Sequence, residues 1–289
     1  DFQLKSDNEQ ESIILSFQRF LNSIDFPIQI FMTTENLNLD EYLEELKNKS
    51  HKNKNLYEII KEYKNHLEEV IKDNKIINRK FYLIIPENKN IDIQIKICEE
   101  SLNSLNLSTK QLKNEEIKQL LKRLFDSEKN ISILPREIIN KPDHLIIDDK
   151  FHRIIHAHTY PRKVESGFLD KIISLHGIFN LSVSIEPTNP EDSLINLNRE
   201  LQKQRADLYA AKIRNQLNPS LQIKYKDTLK TLANLQKGRE KLFSVSLYID
   251  CHADSIKELD ILTRKVEAEL NSMLIIPKIS KFCMRQAYK

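Results

Sequence analysis

The chain has 289 residues, 40% hydrophobic and 30% charged, enough apolar material for one large domain or two of ordinary size. Its 45 Lys+Arg nearly balance 42 Asp+Glu, and a net charge of +3 gives no overall footprint for nucleic acid, leaving only a local basic patch open. Three scattered glycines, Gly167, Gly177 and Gly238, cannot assemble GxxxxGK[ST] or GxGxxG, which excludes phosphate-cradling loops from this stretch.

Cys98, Cys251 and Cys283 are odd in number and lack CxxC spacing, which predicts free thiols in a reducing compartment. The longest apolar runs, such as Leu83-Ile84-Ile85, are too short to span a bilayer. The chain starts at Asp1 rather than Met and stops at Lys289, so both ends are expected to be cuts inside a longer protein.

Phe2-Gln3-Leu4 alternates like the end of a strand. Ser6 and Glu9 have capping-box spacing, and Ile13, Ile14, Phe17 and Leu21 predict an amphipathic helix over 7–23. Phe26, Ile28, Ile30 and Met32 alternate as a strand, and helices follow near 39–49 and 54–76. Residues 80–86 read as a buried strand. A helix then carries Ile91, Ile95, Cys98, Leu102 and Leu105, and a shorter one at 115–126 is capped by Asn114. Periodicity is lost over 127–142, which holds Pro135 and Pro142.

Leu145–Ile147 and Phe151–His158 then read as paired strands around Asp148-Asp149-Lys150, with a short helix at 167–175 and a strand marked by Leu181, Val183 and Ile185. Asn189, Pro190, Glu191 and Asp192 form a strong helix start. Leu194, Leu197, Leu201, Leu208 and Ala211 supply its seam. Asn218-Pro219-Ser220 turns the chain, and Tyr225, Leu229, Leu232 and Leu235 seam the returning helix. A strand at 242–250 and a helix at 255–272 follow. Both halves share one element order, so the expected class is α+β: two similar sheet-plus-helix units from an internal duplication, each with an inserted helical hairpin (39–76 and 190–240).

Several of these segments, taken in order, carry a resemblance. They are Tyr160-Pro161-Arg162 after a strand, Gly167-Phe168-Leu169 opening a helix, Glu240–Ile249 after the hairpin and Ala253–Asp260 opening the last helix. This series resembles the amino-terminal region of the ATPases of conjugative DNA transfer and type IV secretion. Phe20–Ile30 is similar to the TraC-like domain found ahead of them. The resemblance implies a TraC-like domain at 1–126, a linker at 127–142, the ATPase amino-terminal domain at 143–280 and the start of a connection to a motor at 281–289. It also implies a RecA-like motor beyond this stretch, with Walker motifs, ATP and Mg, usually hexameric, at the cytoplasmic face of the bacterial inner membrane. No catalytic residue and no cofactor carries over to this stretch. Its implied partners are inner-membrane channel components and neighbouring subunits.

Among chemistry-bearing residues, His152, His156 and His158 alternate on one strand and share a face, where they could bind zinc with His176 or Cys251 as fourth ligand, or simply line a hydrogen-bonded sheet face. Tyr160, Pro161 and Arg162 read as a partner-binding corner or a structural one. The second hairpin reads as an arm that contacts another subunit, with Arg205 and Arg214 as candidate contacts, or as helices whose inner seams pack on each other and on the sheet. The basic run 47–54 reads as a solvated loop, with a module handling transferred single-stranded DNA as the alternative function.

Overall fold

The computed structural model describes residues 2–36, 77–125 and 133–288. The helices expected near 39–49 and 54–76, and the basic run 47–54, lie outside the described residues.

Helix α1 (Asp7–Ser23) begins where the capping box places it. The Ser6 backbone N–H and hydroxyl both donate to Glu9 Oε2, at 2.9 and 2.7 Å. Phe2–Leu4, read as a strand end, is instead a 3₁₀ turn. Strands β1 (Ile28–Asn36) and β2 (Ile77–Ile84) follow, then helices α2 (Ile91–Ser104) and α3 (Asn114–Leu124). Asn114 is the first residue of α3 rather than its cap. Lys113 holds the cap position, and its N–H reaches Glu116 Oε2 at 2.8 Å.

The rest of the chain forms β3 (Ile138–Asn140), β4 (Leu145–Ile147), β5 (Lys150–Thr159), α4 (Asp170–Ile173) and β6 (Phe179–Pro187). Next come the hairpin helices α5 (Pro190–Ile213) and α6 (Pro219–Gln236), then β7 (Phe243–Ala253), α7 (Ile256–Ser272), β8 (Ile276–Ile279) and α8 (Met284–Tyr288). The side chains of Asn189, Asn218 and Ser255 accept from the N–H groups of Glu191, Leu221 and Glu258, so each helix starts at its capping residue.

The class is α+β, as expected, but the strands form one sheet in the order β2-β1-β6-β7-β5-β4-β3, with β8 also on β5. Strand β5 runs antiparallel to β7 along one edge; β4 and β8 share its other edge, β4 at residues 150–152 and β8 at 155–159. The spatial order β6-β7-β5-β8, with helices in the connections, is a split βαβ arrangement carrying the α5–α6 hairpin as an insertion. The duplication is not established. Among the described residues the first half shows no counterpart of β5, because Phe2–Leu4 is no strand, and its hairpin lies outside them.

Two compact units divide the chain. The first (1–30, 83–111, 183–246) has a core of Phe20, Ile24, Phe26, Ile28, Cys98 and Ile185, with α1 and α2 supplying the helical side. The second (31–82, 112–182, 247–289) buries Leu145, Ile147, Ile154 and Met284 in one cluster. Its helix α7 buries Leu259, Leu262, Val266 and Leu270.

Of the three glycines, Gly177 in the second unit leaves the least room for a side chain. Its φ is +156°, and a Cβ there would lie 2.3 Å from Leu262 Cδ1. Gly177→Ala should therefore destabilise the chain by about 1–3 kcal/mol through overpacking, read as a lower urea midpoint with unchanged slope.

Glu35, on β1, joins Lys80 of β2 at 2.6 Å and Arg123 of α3 at 2.8 Å. Partial burial alone would raise its pKa, but the hydrogen bonds and charges of Lys80 and Arg123 outweigh it and hold the carboxyl below its ordinary value. A carboxyl with a lower pKa folded than unfolded adds stability that is complete above the unfolded value of about 4.3 and is lost as pH falls through the folded one. Unfolding free energy should thus decline as pH drops below about 4, and Glu35→Gln should flatten that decline while lowering stability at neutral pH. Denaturant titrations of both proteins across that range check the sign.

Candidate functional site

The pleat of β5 sends alternate side chains to opposite faces of a strand paired on both edges. His152 stands directly opposite His252 of β7, and Ile154 opposite Asp250, so the two histidines and the carboxylate share one face. His152 Nδ1 lies 3.1 and 3.2 Å from the two Asp250 oxygens, and His252 Nδ1 lies 3.8 Å from Asp250 Oδ2. Asn180 Nδ2 adds a 3.4 Å contact to the same oxygen.

His152 is fully buried, and the Asp250 and His252 side chains are 13% and 12% exposed. Tyr288 of α8 stands edge-on to the His152 ring at 5.6 Å, while its hydroxyl donates to the Leu124 carbonyl at 2.8 Å. Burial of Asp250 opposes its ionisation. The charge and hydrogen bond of His152, helped by the nearby His252, prevail and hold the carboxyl well below the usual carboxylate range.

The opposite face carries Arg153. Its guanidinium donates to Asp260 Oδ1 at 2.6 Å, to Asp143 Oδ2 at 3.1 Å and, through Nε, to the Asp143 carbonyl at 3.0 Å. Cys251, opposite Arg153, lies on this face, turned away from Asp250 and His252.

The three histidines of β5 are not brought together. His152 and His156 are four residues apart on an extended strand, about 13 Å by the strand rise. His156 instead meets Ser280 Oγ at 3.0 Å, and the register of β5 with β8 shifts between Ala157 and Thr159, next to His158. His176 lies between α4 and β6 and joins no metal-binding group among the described residues. A strand-by-strand reading sees only the neighbours along β5, whereas the ligand-like partners lie across it.

The Tyr160 corner has a structural anchor, since the Leu247 N–H donates to Tyr160 Oη at 2.9 Å and so ties the end of β5 back to β7. Arg162, beyond Pro161, is exposed. In the hairpin, Gln204 is buried within the seam of α5. Its amide donates to Glu200 at 3.0 Å and to Thr228 at 3.3 Å, while Lys224 reaches Glu200 at 2.7 Å. Leu229, read as part of the seam, is exposed instead, and Thr228 faces the partner helix in its place. Arg205 and Arg214 are exposed, and so are Tyr209 and Ile213, each 68% exposed, and Leu217 at 90%.

The family profile described as "CagE, TrbE, VirB family, component of type IV transporter system" matches residues 97–288, which include α5, α6 and the whole His152–Asp250–His252 cluster. The chain belongs to this family. The profile for the archaeal TraC-like domain matches residues 1–132, so the two together cover the chain up to residue 288. A search of curated proteins gave no match. As a member of the CagE, TrbE, VirB family, the chain is a region of the ATPase component of type IV secretion and conjugation systems, which agrees with the resemblance carried by its sequence.

The family assignment leaves the cysteines as local chemistry. Cys98 and Cys251 are buried and Cys283 is exposed. Burial pushes the Cys98 thiol up to about 11 and, with the Asp250 charge, pushes Cys251 well above the ordinary range. An aromatic disulfide reagent should therefore modify Cys283 alone in the folded chain and all three thiols after denaturation. Rapid native reaction at Cys98 or Cys251 would contradict the packing described.

Proposed function

We propose that this chain is the assembly and docking segment of a type IV secretion or conjugative DNA-transfer ATPase. It links the motor of the parent protein to inner-membrane channel components and to neighbouring subunits, peripherally at the cytoplasmic face, and takes no direct part in ATP hydrolysis. The observation that carries this reading is the helical hairpin within the family-matched span, which exposes Arg205, Tyr209 and Ile213 at i, i+4, i+8 spacing along α5. Tyr and Arg are favoured at binding hot spots, and these sit on a rigid helix. The scarcity of glycine supports leaving nucleotide chemistry to the motor. Among the described residues no helix is long and apolar enough to cross a membrane, which favours protein contacts for attachment.

A charge reversal at Arg205 and Arg214, alone and combined with Tyr209→Ala, should reduce co-purification with the membrane channel components at least about tenfold, with stability altered by roughly 0.5 kcal/mol or less. Arg162→Glu tests the Tyr160 corner in the same assay. Full recruitment of all these folded variants sinks both docking surfaces. ATP should leave the melting temperature unchanged, and a nucleotide-dependent rise would overturn the division of labour.

The hairpin also favours a second reading. Between Lys203 and Lys226 it holds Lys203, Arg205, Lys212, Arg214, Lys224 and Lys226 against the single acid Asp207, with Tyr209 exposed among them. Such a surface suits the backbone and bases of single-stranded DNA. Tight binding that weakens steeply with salt would support this alternative over docking.

A further inference from the structure

We propose that His152, Asp250 and His252 form a binding site for a divalent transition metal, zinc by its chemistry, that clamps β5 to β7 from inside the fold. Each residue offers one ligand atom, and these atoms all lie within 4.8 Å of one another. Bonds of about 2.0–2.1 Å to a tetrahedral zinc require ligand atoms about 3.4 Å apart. The separations of 3.1 Å from His152 Nδ1 and 3.8 Å from His252 Nδ1 to Asp250 Oδ2 straddle that edge, so small side-chain rotations complete it. Both imidazoles turn Nδ1 toward the same carboxylate, yet His252 Nδ1 is too far from it for a hydrogen bond.

The donor set points the same way: a buried carboxylate faced by two imidazole nitrogens is a ligand set that a divalent transition metal takes. Two histidines and a carboxylate also bind iron(II), but that ion keeps several positions open for small molecules. Here the burial of His152, the cover of Tyr288 and the 12–13% exposure of the other two favour a closed, structural ion, with both Asp250 oxygens, 3.1 and 3.2 Å from His152 Nδ1, completing four donor atoms. Asn180, on β6, then contacts the ligating carboxylate from outside the coordination sphere, the outer support that such ligands ordinarily have. The metal would hold β5 and β7 in register beneath α8, whose Tyr288 rests on His152.

The test uses the whole 289-residue chain, treated with chelator and then titrated with Zn²⁺ and, separately, Co²⁺. The site predicts one bound equivalent, the visible absorption of four-coordinate Co²⁺, and a melting temperature raised by about 5 °C or more at a zinc concentration a hundredfold above Kd. Asp250→Asn and His252→Gln should each weaken binding at least about a hundredfold. X-ray absorption of the Co²⁺-loaded wild-type chain should show two imidazoles and no sulfur, a readout that does not depend on the variants folding. Failure to bind an equivalent, unchanged affinity in folded His252→Gln, or sulfur ligation through the exposed Cys283 would each overturn the proposal.

Discussion

Arg153 and His152 are neighbours on a strand that is hydrogen-bonded along both edges, so the pleat forces one into each buried face of the sheet. Taking an unpaired charge out of water costs several kcal/mol, a large share of a domain's stability margin. The second unit is built around meeting those two demands. Asp260, near the start of α7, and Asp143, just before β4, close on Arg153; Thr263, one turn beyond Asp260, lies 3.5 Å from the same guanidinium. That arrangement fixes where α7 lies on β5, and Leu259, Leu262 and Val266 fill the space around it. On the other face Asp250 answers His152 and His252, with α8 as the lid.

Elements with local signals were legible in the sequence. Helices α1, α5, α6 and α7 announce themselves through caps whose donor and acceptor lie within three residues of each other. Strands β3 and β8 escaped notice because three or four residues, close to Pro135 and Pro142 in one case and containing Pro277 in the other, hold no period to detect. Both exist through pairing with β4 and β5, and such partners carry no mark in their own sequence. The histidine site was half legible for the same reason. His152 stands out in a run of histidines, but Asp250 and His252 lie about a hundred residues later, and only the β5–β7 register, with His152 opposite His252, brings them together.

The hairpin illustrates a different limit. Its apolar seam was readable, but Gln204 occupies a buried position of that seam, and the Glu200–Gln204–Lys224–Thr228 group replaces one layer of apolar packing by hydrogen bonds. A polar layer of this kind costs stability relative to leucine and in return disfavours sliding of one helix along the other, because a slipped register leaves the amide unpaired. Periodicity scores only the apolar positions, so it points Leu229 inward, whereas the packing exposes Leu229 and turns Thr228 toward Gln204.

The surface this register fixes is narrow. Arg205, Tyr209 and Ile213 occupy two turns of one helix, well short of the roughly 800 Å² per partner that a stable protein interface buries. On the docking reading proposed above, one hairpin would therefore make a weak, fast-exchanging contact, whatever its partner. Multiplicity changes that: in an oligomeric parent of the kind the family resemblance implies, each bound hairpin raises the effective concentration of the next, and overall affinity climbs by two to four orders of magnitude, roughly, with no new contact. Weak single arms and strong rings would make attachment follow assembly, so that a lone subunit stays free while a complete one is held. A rigid hairpin serves this purpose better than a greasy one, because a large apolar stripe would bind as a monomer and aggregate before the ring forms.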